Sequence, residues 1–421
     1  MTSRTPAPDA TAAVPAWRIA LAGMVALAVA MGIGRFAFTP LLPMMLADGS
    51  VDLANASWLA SANYLGYLVG ALLCTFQPLL WRRLGWTGAV RLTAMVRAGL
   101  VATTLLTLGM ALDLPALWPL LRFAAGVASA LVFVYVSTWS LARLAQMQLP
   151  EMGALIYTGP GAGIVASGLA ASLLVHWQQS AATGWLVFGL LAAVLAIVVW
   201  PVLRASAAGP TPTTGGGMPD SAPGAVAAPR HGRNELALLA LAYGLAGLGY
   251  IISATFLPVI ARQSIPGSPW LDLFWPIFGL GIMIGALVAS RIRSQWDMRL
   301  RLIVCYLIQG SGILVGLVWP TSAGFAWGSL LLGMPMTAIT YFAMQEVRRL
   351  SPHHPASLMG LLTAVYGLGQ IVGPPLAAAF LARSMTVEAG FSAALGVAAA
   401  ALLLGAAMYG VMVRRYPVQS R

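Results

Sequence analysis

Residues 32–43 read GIGRFAFTPLLP: one arginine, Arg35, set among close-packing glycines and followed by two prolines, within an apolar run long enough to cross a bilayer. A guanidinium at mid-membrane depth costs about 2.5 to 3.5 kcal/mol even on permissive insertion scales, so it faces a bundle interior or a watery cavity. Arg35 therefore reads either as a functional group or as a structural pin bonded to carbonyls of a neighbouring helix.

The rest of the chain supports a membrane setting. Of 421 residues, 59% are hydrophobic and 8% charged, with a mean hydropathy of +0.85, whereas soluble domains carry roughly 25% charged residues. Runs of roughly 20 apolar residues span a hydrocarbon core about 30 Å thick. Twelve such runs are present, near residues 18–46, 56–80, 88–111, 115–142, 153–176, 184–203, 235–262, 269–291, 301–319, 325–347, 357–382 and 390–413. Between the sixth and seventh, residues 204–233 contain GPTPTTGGGMPDSAPG, which cannot bury a core and reads as a flexible linker. The expected organisation is a tail 1–17, a six-helix half 18–203, the linker 204–233, a second six-helix half 234–413 and a tail 414–421.

With an even number of spans both termini share one side. Eighteen of the 23 arginines fall on that side and two, Arg262 and Arg383, on the other, so the termini and linker are expected in the cytoplasm. The net charge of +12 is then a matter of topology, and no nucleic-acid partner follows from it. The lipid bilayer is the implied partner, the protein is expected to be a monomer, and no cofactor is expected. Cys74 and Cys305 lie in apolar runs, the four histidines lack zinc spacing, and no span holds a carboxylate at mid-depth, which argues against a membrane-embedded enzyme.

The halves repeat. A shift of 215 residues lays Gly32, Gly34 and Pro43 on Gly247, Gly249 and Pro258, and lays GYLVGALL from Gly66 on GIMIGALV from Gly281. A shift of 207 lays Gly126 on Gly333 and Gly153 on Gly360. Parallel six-helix repeats about an axis along the membrane normal are a transporter architecture.

Three arginines remain inside spans: Arg35, Arg97 and Arg122. At 1.5 Å rise per residue, Arg35 and Arg122 each fall roughly 7 Å outward of the midplane. Two cations without an intramembrane carboxylate favour an anionic substrate group. The alternative for Arg122 is that it bonds carbonyls of a broken neighbouring helix. Arg97 reads as structural, its long side chain snorkelling inward. Asn63, Tyr157, Tyr366 and Gln370 are expected to orient the solute by hydrogen bonding, with Tyr64, Tyr67, Trp139, Trp275 and Tyr341 as further aromatic candidates that more often belong to the interfacial belt. Gly159-Pro160 and Gly373-Pro374-Pro375 are expected hinges, because proline frees backbone carbonyls. Asp272 and Glu346, at the ends of their spans, are the candidate coupling-ion residues, and each reads equally as a solvated end cap.

These features resemble the major facilitator superfamily over nearly the whole chain. Arg122-Phe-Ala-Ala-Gly126 resembles its fourth-helix R-x-x-x-G motif and Gly159-Pro160-Gly161-Ala162-Gly163 its fifth-helix G-P-x-x-G motif, associated with antiporters. GIGRFAFTPLLPMM, residues 32–45, is similar to the first-helix signature of the YbfB/YjiJ-type branch. The loop after the second helix departs from the superfamily pattern: WRRLGW has Arg82 where an acidic residue is expected and Trp86 at the motif's end. The resemblance implies an all-α membrane protein with the major facilitator fold and a cavity lined by helices one, two, four, five, seven, eight, ten and eleven. It further implies a secondary transporter of a small organic solute in a bacterial inner membrane, working by alternating access. The solute is expected to be anionic and transport proton-coupled. Efflux of moderately hydrophobic compounds is the alternative within that class, and a non-transporting sensor is the alternative outside it.

Overall fold

The computed structural model describes residues 14–85, 91–205, 232–268, 270–292, 297–350 and 355–417. Most of the expected linker, the pair His353 and His354, and Trp86 lie outside the described residues. The twelve expected spans are present as α1 Ala16–Ala47, α2 Leu53–Gln77, α3 Leu92–Gly109, α4 Pro115–Gln146, α5 Gly153–His176, α6 Ala181–Ala205, α7 Asn234–Ser264, α8 Leu271–Arg291, α9 Met298–Val318, α10 Ser322–Leu350, α11 Leu358–Arg383 and α12 Val387–Arg415. No strand occurs among the described residues. Outside the bilayer the helix starts follow ordinary capping chemistry: the side chains of Asp297, Thr321 and Thr386 accept from backbone amides at the starts of α9, α10 and α12.

The sequence repeat is visible as repeated helix crossings. In the first half a side chain on Gly66 of α2 would collide with the Phe123 carbonyl of α4, and one on Gly126 with the carbonyl of Asn63. In the second, Gly281 of α8 meets the Leu330 carbonyl of α10, and Gly333 meets the Phe278 carbonyl. Each partner is displaced by the same 215 or 207 residues that the sequence shows. Small residues are what lets backbones touch in lipid, where no hydrophobic force drives helices together.

The two halves meet along their length, with Thr75 of α2 beside Gly360 of α11 at the inner end, while the hydrogen bonds between them lie farther out. Among the described residues, hydrogen bonds cross between them from Arg35 to Gln370 (2.7 Å), Thr39 to the Ala254 carbonyl (2.9 Å) and Ser61 to the Ile371 carbonyl (2.8 Å), and between the hydroxyls of Tyr64 and Thr255 (2.9 Å). All of these lie from the middle of the helices toward the end remote from the termini. Gly161 of α5 packs on the Gly279 carbonyl of α8, and Gly168 on Pro276, extending the seam outward. The first turns of α1, Ala16–Leu27, pack instead on α4, α5 and α6 of their own half.

Candidate substrate site

The first span is where regular backbone gives way. It runs as an α-helix over Ala16–Leu27, widens to a π-helix over Ala28–Arg35, turns at Phe36 and Ala37, and resumes over Phe38–Ala47. Within it the Phe36 amide reaches back five residues to the Met31 carbonyl, at 3.2 Å. Gly32 lies against the backbone of Gly163 and Gly34 against Thr103 and Ser129, so α3, α4 and α5 close around the widened turn. Beyond it the Thr39 amide bonds the Phe36 carbonyl at 3.2 Å and Pro40 has no N–H, which leaves the Arg35 carbonyl without a helical donor.

Arg122 supplies the missing donors. Its Nη2 donates to the Arg35 carbonyl at 3.0 Å and its Nη1 to the Gly34 carbonyl at 3.3 Å. Of the two roles open to Arg122 from sequence, the geometry is that of the carbonyl-binding one, with the rings of Phe38 and Trp185 beside the guanidinium at 5.2 and 6.0 Å. Asn63 Nδ2 donates to the Arg122 carbonyl at 2.9 Å. The R-x-x-x-G stretch thus acts as one clamp: Gly126 admits α2, Asn63 fastens it, and Arg122 reaches across to α1. Asn63 Oδ1 and Arg122 Nε remain buried without a protein partner.

Arg35 points the other way, into the seam between halves. Only 3% exposed, it donates from Nη2 to Gln370 Oε1 at 2.7 Å, and Gln370 Nε2 donates in turn to the Tyr250 hydroxyl. The Tyr67 ring centre is 4.0 Å from the guanidinium, and those of Tyr64 and Phe36 are 5.4 Å away. Arg35 Nε has no partner, and no carboxylate pairs with Arg35 among the described residues. Tyr366 stacks on Tyr243 and Tyr250, with centroids at 4.6 and 5.9 Å. Tyr157 sits 6.3 Å from Phe133.

Arg35, Gln370 and Tyr366 therefore converge, with Asn63 and Arg122 behind them, while Tyr157 packs beside Phe133. Tyr67 and Tyr250 belong to the same group but stood outside the sequence-based choice. Tyr250 had a signal: it lies 215 residues after Arg35, the offset of the repeat. Tyr67 is four residues after Asn63, on the same helix face.

The expected hinges divide. α5 is interrupted at Tyr157 and Thr158, between Gly153–Ile156 and Gly159–His176, because Pro160 offers no amide to the Ile156 carbonyl. α11 passes unbroken through Pro374 and Pro375, with Gly373 seated against Ile251. Asp272 and Glu346 do not reach the site. Asp272 pairs with Arg262 at the outer end. Glu346, fully buried, pairs with Arg349 at 2.6 Å and lies 3.7 Å from Arg299, in a cluster completed by Glu235 and Asp297. Arg299 also donates to the Met412 and Tyr416 carbonyls, fastening the end of α12. Both carboxylates face committed cations, which is the geometry of structural ion pairs. Asp297 lies just outside α9: burial pushes its carboxyl up, but the bonds from Arg299 outweigh this and hold it below the usual range.

Comparison with known proteins agrees with this architecture. The crystal structure of the nucleoside transporter NupG superposes with a TM-score of 0.68 at 12% identity, covering 95% of this chain and 99% of that one. Its D323A mutant gives 0.69 at 13% identity, covering 94% and 99%. At this identity the likeness is one of fold. No curated protein sequence matches the chain. The family model described as "Uncharacterised MFS-type transporter YbfB" matches residues 27–409. The chain therefore belongs to the YbfB-type family of the major facilitator superfamily and is a multi-pass secondary transporter, not an enzyme.

Proposed function

We propose that the protein carries a small organic anion across the plasma membrane by alternating access of its two halves, with Arg35 as the group that binds the anion. The observation that carries this reading is the state of Arg35: a buried guanidinium, bonded to one neutral amide, with an unpartnered Nε and no carboxylate. A cation so placed is costly to keep empty and is stabilised by an incoming negative charge. Gln370, Tyr250 and Tyr366 orient the solute from the second half, so the bound anion touches both halves. Asn63 and Arg122 hold α1 and α2 in place behind it, and the break in α5 before Gly159-Pro160 supports a hinge there. Asp272 and Glu346 take no coupling role here, since each is held by an arginine at the end of its span. Among the described residues no carboxylate or imidazole stands by Arg35, so this reading assigns no proton-coupling residue. Neutral solutes such as nucleosides are the rival class, prompted by the fold of NupG.

The test is a thermal-shift screen of the purified protein against small carboxylates, nucleosides, sugars and amines, followed by uptake into proteoliposomes of whatever binds. A ligand at 100 times its dissociation constant stabilises by about 2.7 kcal/mol. The expected result is a response to carboxylates that disappears in Arg35→Gln. A response confined to neutral or cationic compounds, unchanged in that variant, overturns the reading.

A further inference from the structure

The third in-span arginine, Arg97, takes no part in the site around Arg35. It lies about 7.5 Å past Leu92 along α3, near the end that bears the termini. Its Nε donates to the Thr93 carbonyl one turn back, at 3.4 Å, so the side chain bends toward that end and carries its charge to headgroup depth. There the guanidinium lies over the Trp200 ring of α6, 5.4 Å from its centre. The two helices touch closely farther out, where a side chain on Gly189 of α6 would collide with Leu108 of α3. Nearer the termini their seam is spanned by Arg97 and Trp200, and it is bordered by exposed apolar residues: Val101 and Leu105 on α3, Val194 and Ile197 on α6. Such a border faces lipid. Arg204, one turn beyond Trp200 on the same face of α6, is exposed as well. Neither arginine forms an ion pair among the described residues. The one described carboxylate at that end of the first half, Glu151, belongs to the connection between α4 and α5. The second half meets the same need from within. Its corresponding pair, α9 and α12, is joined by Arg299, whose charge is answered by Glu235, Asp297 and Glu346.

We infer that the seam between α3 and α6 binds an anionic phospholipid of the leaflet on the side of the termini. Its phosphate is held by Arg97 and Arg204, and its acyl chains run along the apolar border of the seam. Guanidinium and phosphate pair through short, charge-assisted hydrogen bonds, and basic pockets between spanning helices at this depth are suited to anionic headgroups. Trp200 sets the height of the site, since an indole settles at the level of the headgroups, and its ring keeps the Arg97 guanidinium in the seam. The lipid thus supplies to α3 and α6 the negative charge that carboxylates supply to α9 and α12. This site is separate from Arg35, and it stands whichever solute the protein carries.

The experiment adds phosphatidylglycerol, phosphatidylcholine or glycerol 3-phosphate to the purified full chain in a neutral detergent, reads the thermal shift, and counts retained lipid by native mass spectrometry. Phosphatidylglycerol carries a net negative charge and acyl chains, phosphatidylcholine the chains without net charge, and glycerol 3-phosphate the phosphate without chains. The expected result is stabilisation and retention with the first and a much weaker effect from the other two. Arg97→Gln weakens phosphatidylglycerol binding about tenfold or more, and Arg204→Gln about fivefold. Arg415→Gln, which removes the same charge from the end of α12, leaves it unchanged. Should Arg97→Gln fail to fold, the exposed change Arg204→Gln takes its place against the same control. Equal stabilisation by phosphatidylcholine overturns the inference, because the seam then does not read charge. A loss in Arg415→Gln as large as in the seam variants overturns it too, by assigning the effect to the positive surface at large. An equal shift from glycerol 3-phosphate overturns the lipid as occupant, and no response to phosphatidylglycerol overturns the site.

Discussion

In the first half, the helix that carries Arg35 widens over Ala28–Arg35 and has its loose carbonyls tied by Arg122. In the second, α7 runs regularly through Asn234–Ser264, with Tyr250 at the repeat position of Arg35 and Ser329 at that of Arg122. Ser329 donates instead to the Phe325 carbonyl in its own helix, at 2.6 Å. The halves agree at the glycine crossings that build the scaffold and disagree where the seam is lined. Symmetry therefore belongs to packing, and the departure from it belongs to the site. The inner ends differ too: in the second half Arg299 is fully buried in a five-membered ion cluster, whereas Arg91 at the start of α3 is exposed.

The sharpest way to break this comparison is at those inner ends. Replacing one member of a buried ion cluster strands its partners, so Arg299→Met is expected to lower stability by about 3 to 5 kcal/mol. Arg91→Met, an exposed change, stays within about 0.5 kcal/mol. Denaturation in detergent measures both, and equal losses would erase the distinction between the halves. Next is the pair Arg122→Gln and Ser329→Ala. Bonds from a charged donor are worth about 1.5 to 3 kcal/mol and neutral ones about 1, so the first variant should lose about three times as much as the second. Arg35→Gln is expected to leave the melting temperature unchanged or raised, since it removes an uncompensated buried charge, while abolishing carboxylate-induced stabilisation. A fall as large as that of Arg122→Gln would make the two arginines alike and sink the division of labour between them. Smallest is Tyr250→Phe, which removes the hydroxyl that accepts from Gln370 and should cost about 0.5 to 1.5 kcal/mol. A larger effect on ligand response than on stability would show that this hydroxyl orients Gln370 for the solute.

The twelve spans were legible because lipid demands unbroken apolar length, and the repeat because close crossings demand glycine at fixed places such as Gly66 and Gly281. Arg35 was legible as a charge turned to the interior for the same reason: charge in a span is too costly to face lipid. The role of Arg122 stayed open, since it depends on where α1 releases its carbonyls. That follows from the joint geometry of Gly32, Gly34 and Pro40, and a helical periodicity does not express it. Tyr67 looked like any interfacial aromatic until the fold laid it over Arg35. Asp272 was hard to pair from sequence because Arg262 belongs to the preceding span, whereas Glu346 has Arg349 three residues on along the same face, a pairing the sequence did offer.

The widened turn in α1 also acts as a register device. A π-helical stretch behaves as one surplus residue in an α-helix, and each residue turns the helix by roughly 100°. The surplus residue is what allows the first turns of α1 to face α4, α5 and α6 while Thr39, farther along, faces Ala254 of α7. Deleting one residue from Ala28–Arg35 would restore a regular helix and rotate one end against the other, so that either the half would lose its packing or the two halves would lose their outer seam. Arg35 sits at the last residue of that stretch, where its side chain faces the seam and its carbonyl faces Arg122. Part of the half-to-half interface is thus encoded as a length, the number of residues in one helix, as well as in the chemistry of its side chains.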